Sequence, residues 1–71
     1  MHMDAGTFAR LAETHAARLV LYARQWANAP EDAVQDAFLK LARLSMPPDD
    51  PVAWLYRATR NAAIDAGKGQ R

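Results

Sequence analysis

Apolar residues recur at intervals of three and four along most of this chain. Phe8, Leu11, Ala12, His15, Leu19, Tyr22, Ala23 and Trp26 trace one helical stripe. Thr7 ahead of them carries the hydroxyl of an N-cap. The helix is expected to stop near Asn28, because Pro30 has no amide hydrogen and biases Ala29 away from helical geometry. Pro30 suits the first position of a second helix, with Glu31 and Asp32 at the positive end of its dipole. Val34, Ala37, Phe38, Leu41 and Leu44 form that helix's buried stripe. In the following segment, SMPPDDP, Pro47, Pro48 and Pro51 exclude regular helix, and Asp49 or Asp50 is placed to cap what comes next. A third helix is predicted from Val52 to Ala66, with Val52, Leu55, Thr59, Ala62, Ala63 and Ala66 inward, Tyr56 at the edge and Gly67 as the stop. Neither internal repeats nor strand-like alternation is present. The pattern predicts an all-α bundle of three main helices, the first of which could be broken into two.

With 71 residues the chain makes one domain, near the lower limit for a core without disulfides, metal or partner. The apolar fraction of 51%, with three Gly and four Pro, favours packed helices over disorder. Absence of Cys removes disulfides, thiolate metal sites and a thiol nucleophile, and fits a reducing cytoplasm. The N-terminus lacks an apolar signal core, and no apolar run nears the roughly 18 residues of a membrane span. Residues 1–6 read as an irregular leader or cloning remnant, and residues 67–71 as the start of a linker in a longer protein.

Charge is unevenly divided. Residues 51–71 hold four Lys/Arg and one acid, residues 1–50 five Lys/Arg and seven acids, so an overall +1 conceals a basic C-terminal third. That third also carries Trp54, Arg57, Arg60 and Asn61 on one helix, with Lys68 and Arg71 beyond. Aromatic rings, guanidinium groups and an amide are the equipment for stacking on bases and holding phosphates. Two readings of Trp54 stay open: a lid over the core above the small Ala58, or a stacking platform. Asp65 reads as structural, pairing with Arg or capping a neighbour, because a carboxylate repels phosphate. On the second helix Asp32, Gln35, Asp36 and Leu39 share one line opposite the apolar stripe. Acids and Gln alone would be an ordinary solvated face; Leu39 among them resembles a small interface able to accept hydrogen bonds from Arg or Lys of a partner helix. His15, without a second ligand at metal spacing, reads as a packed or interface histidine. Ser45 is no nucleophile elbow, and no glycine-rich phosphate loop is present. No catalytic constellation, cofactor site or metal site can be assembled, so the chain reads as a binding module rather than an enzyme.

PEDAVQDAFLKLAR followed by PVAWLYRATRNAAID resembles region 2 of bacterial sigma factors of the extracytoplasmic-function group. The matching residues are Glu31, Asp32, Gln35, Asp36, Phe38, Trp54, Leu55, Tyr56, Arg57, Arg60, Asn61, Ile64 and Asp65, and the first helix fits more loosely. The resemblance implies a promoter-specificity module that binds core RNA polymerase, helps melt promoter DNA and reads the minus-ten element as a single strand. It places Asp32, Gln35, Asp36 and Leu39 on the clamp helices of the polymerase β′ subunit. It also makes Ser45, Met46, Pro47, Pro48, Asp49 and Asp50 the loop that cradles a flipped base, and leaves an anti-sigma factor open as a partner. Two departures stand out: Ala33, Ala58 and Ala62 where bulky aliphatics are usual, and no region 4 helix-turn-helix within these residues.

Two other function classes compete. One is a helical protein-interaction domain that binds polymerase or an anti-sigma factor but no DNA; a steep salt dependence of single-strand binding separates it from the first reading. The other is a duplex-reading helix-turn-helix, against which the long proline-rich connection before the third helix counts.

Overall fold

The computed structural model describes residues 3–69. Three helices, α1 (Ala5–Ala23), α2 (Pro30–Arg43) and α3 (Pro51–Gly69), each pack against both others, with no strand among the described residues. The first helix is unbroken.

Asp4, not Thr7, caps α1. Its carboxylate accepts the Thr7 amide at 3.2 Å and the Thr7 hydroxyl at 2.6 Å, while its carbonyl accepts the Phe8 amide at 3.0 Å. Thr7 thus closes the cap from inside the first turn. Regular helix ends at Ala23. A tighter turn continues, in which the Gln25 and Trp26 amides bond three residues back to Tyr22 and Ala23. For α2, Ala29 offers no side-chain cap; Pro30, Glu31 and Asp32 at the start and Lys40 and Arg43 in the last turn match the helix dipole. Asp50 caps α3, accepting the Ala53 amide on its side chain at 3.1 Å and the Trp54 amide on its carbonyl at 3.0 Å.

Helix α3 does not stop at Gly67. No described glycine has positive φ, and the helix runs on to Gly69. Gly67 serves close approach instead: a Cβ there would lie 2.8 Å from the Trp26 carbonyl oxygen.

The interior has two parts. Leu19, Val34, Ala37, Phe38, Leu41 and Leu55 form the larger cluster, flanked by Met3, Phe8, Leu11, Trp54 and Tyr56. Phe8 meets Phe38 edge-on at 5.6 Å, joining the start of α1 to the second half of α2. At the opposite end Ala23, Ala33 and Ala63 make a second cluster with Trp26, Ala27 and Ala62 beside it. Thr59 lies fully buried on α3 between Leu55 and Ala63, its hydroxyl without a hydrogen-bond partner among the described residues. Ala66, expected inward, is exposed at the bundle's end, whereas Pro30 and Ala33, outside the predicted stripe, are buried.

Candidate nucleic-acid interface

Trp54, Ala58 and Asn61 recur at spacings of four and three on α3, so they share the side that faces α2. With Arg57 and Lys40 they line an open groove of about 310 Å³. Trp54 is half-buried, packed on the larger core cluster with part of its ring in the groove wall. Lid and platform are therefore compatible roles for one side chain. Ala58 leaves the floor open where a bulky aliphatic would fill it. From Trp54 to Asn61 the groove follows about 10 Å of helix axis. Its chemistry is one ring, a guanidinium, an ammonium and an amide, with no carboxylate among the lining residues.

Lys40 is the residue the sequence reading missed. It belongs to α2, four positions after Asp36, and its Nζ lies 3.1 Å from Asp36 Oδ2. Both side chains are about half exposed, so the pair is worth only about 0.3–0.5 kcal/mol, and Lys40 exchanges it readily for another anion.

A second groove of about 280 Å³ runs toward the alanine end, lined by Asp32, Ala33, Asp36, Lys40, Ala62, Asp65 and Ala66. Asp65 stands exposed in this acidic wall; no guanidinium lines it, so the pairing with Arg expected for Asp65 is not found there. Lys40 stands at the border of the two grooves. Asp32, Gln35 and Leu39 are exposed along the outer line of α2, and Leu39 leaves half its surface in solvent.

Arg60 is separate from the groove. It reaches the connection between α1 and α2, its guanidinium carbon 5.7 Å from the centroid of the Trp26 ring. Asn61 and Arg57 are both exposed where they line the groove. Arg71 lies outside the described residues, as does the Lys68 side chain.

The connection from Ser45 to Asp50 adjoins the Trp54 end of α3 and supplies no lining residue to either groove. Met46 in it is 73% exposed. Asp50 is engaged in capping, which leaves Asp49 as the loop's uncommitted carboxylate. His15 is half-buried beside Thr7, Arg10, Leu11 and Thr14 on α1. Among the described residues no cluster of His, Cys, Asp or Glu could hold a metal ion, and no helix is long and apolar enough to cross a membrane.

Comparison with curated proteins and with solved structures gives no match. A family model does match: sigma-70 region 2, over residues 11–71, which takes in both grooves, α2 and α3 and all but the first turns of α1. In sigma factors this domain takes part in binding core RNA polymerase and in recognising the minus-ten promoter element, and the family consists of non-enzymatic initiation factors. The match spans most of the chain, and the chain belongs to the sigma-70 region 2 family.

Proposed function

We propose that this chain is the region 2 module of an extracytoplasmic-function type sigma factor, working in the cytoplasm. It docks on the β′ clamp helices through Asp32, Gln35, Asp36 and Leu39, and takes the unpaired non-template strand of the minus-ten element into the α2–α3 groove. Capture of the single strand favours the melted promoter, which is how the module assists opening. The observation that carries the reading is the acid-free groove, where Trp54 offers a ring face and Lys40, Arg57 and Asn61 offer donors. Lys40 and Arg57 hold phosphates without regard to sequence; Asn61, with one acceptor and two amide protons, reads a base edge. Residues 45–50, which lead into the Trp54 end of α3, are the segment proposed to receive a flipped base.

Fluorescence anisotropy with minus-ten and scrambled single strands at two salt concentrations tests this. Asn61→Ala is expected to lose discrimination with a smaller loss of affinity. Lys40→Ala and Arg57→Ala are expected to weaken both strands alike and to lower the salt slope by about one contact each. Equal discrimination by the Asn61 variant and its parent would sink Asn61 as the reader. For the polymerase surface, Asp32→Lys combined with Leu39→Ala is expected to abolish capture by the clamp helices with helical content unchanged. Capture at parental level removes that surface. A chain that binds the clamp helices but no single strand at any salt concentration is the protein-interaction domain instead.

A further inference from the structure

The basic and aromatic surface of α3 does not end at the groove. Trp54, Arg57, Ala58 and Asn61 line the groove against α2, and Arg60 reaches Trp26 in the connection that follows α1. At 5.7 Å from the ring centroid, the Arg60 guanidinium is within cation–π reach of Trp26. Trp26 is itself fixed from several directions. Its ring meets Tyr22 edge-on at 5.0 Å, and Tyr22 meets Tyr56 of α3 at 5.0 Å. Its amide bonds the Ala23 carbonyl, and its own carbonyl lies against α3 at Gly67.

An unrestrained arginine loses rotamer freedom when it grips a phosphate. One laid on a fixed ring has lost part of that freedom already. The cation–π contact draws on the charge of the guanidinium, whereas phosphate recognition uses its N–H groups, so the two are compatible. Arg60 is exposed, and among the described residues no carboxylate pairs with it.

We infer that Trp26 is a positioning residue for Arg60, and that the two form a second phosphate station where α3 meets the α1–α2 connection. A single strand leaving the groove crosses Arg57 and is held by its backbone at Arg60. The inference rests on the nucleic-acid reading above and assigns this station affinity without sequence preference.

The test is the salt dependence of oligonucleotide affinity for the whole chain, comparing the parent with Arg60→Ala, Trp26→Leu, Trp26→Phe and the Trp26→Leu/Arg60→Ala double variant. Loss of one single-strand contact lowers the log–log salt slope by about 0.7. Arg60→Ala is expected to show that change, Trp26→Leu most of it, and the double variant no more than Arg60→Ala alone. Trp26→Phe, which keeps an aromatic face, is expected to restore most of the affinity, and discrimination between minus-ten and scrambled strands is expected to stay at parental level throughout. Parental affinity and slope in Trp26→Leu, or a loss that adds in full to that of Arg60→Ala, overturns the assignment. Should Trp26→Leu lose helical content, the parent alone decides by NMR: the Arg60 Nε–H resonance, shifted by the Trp26 ring, moves on addition of oligonucleotide, and an unmoved resonance overturns the station. A parent that binds no oligonucleotide removes the underlying reading together with this one, whereas parental binding with an indifferent Trp26→Leu removes this one alone.

Discussion

At one end of the bundle Leu19, Val34, Phe38, Leu41 and Leu55 fill the space between the helices; at the other Ala23, Ala33 and Ala63 do so. A buried Leu, Val or Phe contributes about 1.5–3 kcal/mol, and an alanine methyl only a fraction of that. Helix separation, however, follows the size of the side chains at the contact. The bulky end therefore supplies most of the burial, while the alanine end lets backbones come close enough for the Trp26 carbonyl to meet α3 at Gly67. That closeness also gathers Asp32, Asp36 and Asp65 from two helices into one groove. Stability and surface design are thus divided along the length of the molecule.

Truncation at the bulky end breaks or upholds this division most sharply. Leu55→Ala is expected to cost about 2–5 kcal/mol in urea unfolding, a large share of the roughly 4–11 kcal/mol that a chain this short commands. Ala63→Gly at the other end is expected to cost only about 1 kcal/mol. Equal losses would erase the distinction.

Overpacking probes the alanine end in the opposite sense. Ala63→Leu is expected to cost about 1–3 kcal/mol. Gly67→Ala would gain about 1 kcal/mol from helix propensity alone, but the new methyl meets a backbone carbonyl that cannot step aside cheaply. A lower Tm together with altered tryptophan emission is the expected result; a higher Tm would show that the two backbones are not held together there.

Thr59 lies at the seam between the two ends. Thr59→Val keeps the β-branched shape and removes a buried hydroxyl that has no partner among the described residues, so a gain of about 1 kcal/mol is expected in thermal or urea unfolding.

The smallest effect belongs to Asp4, outside both clusters. Hydrogen bonds first from the Thr7 hydroxyl and then from the Thr7 amide hold its carboxyl below the ordinary 3.8. Such a group stabilises the fold above its unfolded pKa, and the contribution fades as pH falls through the lowered folded value. Amide protection in the first turn of α1, taken relative to the unstructured exchange rate at each pH, is expected to fall over that acidic range in the parent and to lose this pH dependence in Asp4→Asn.

The three helices and the proline-rich connection were legible because apolar period and proline chemistry are local signals. Gly67 was misread for the same reason: a glycine near a basic C-terminus has the local look of a stop, and only the Trp26 carbonyl across the interface explains it. Asp4 and Thr7 are both capping residues three positions apart. The apolar stripe favoured Thr7, since Ala5 and Gly6 extend α1 by a turn that buries nothing. In the site, the α3 residues could be grouped by helical spacing. Lys40 could not, because its place beside Trp54 depends on how α2 lies against α3, although its i,i+4 relation to Asp36 put it near the outer α2 line. The cation–π contact of Arg60 with Trp26 joins residues 34 positions apart and leaves no periodic trace.

Three of residues 45–51 are prolines, and each ring confines φ before any partner arrives. Freezing an ordinary residue's backbone costs about 1–2 kcal/mol of conformational entropy, a penalty that a flexible glycine-serine connection would meet anew at every encounter. Here much of that disorder is absent from the unliganded molecule. The base capture proposed for this corner would then resemble fitting into a stiff frame, with Met46 as its adaptable insert, more than the folding of a loose strand around a guest.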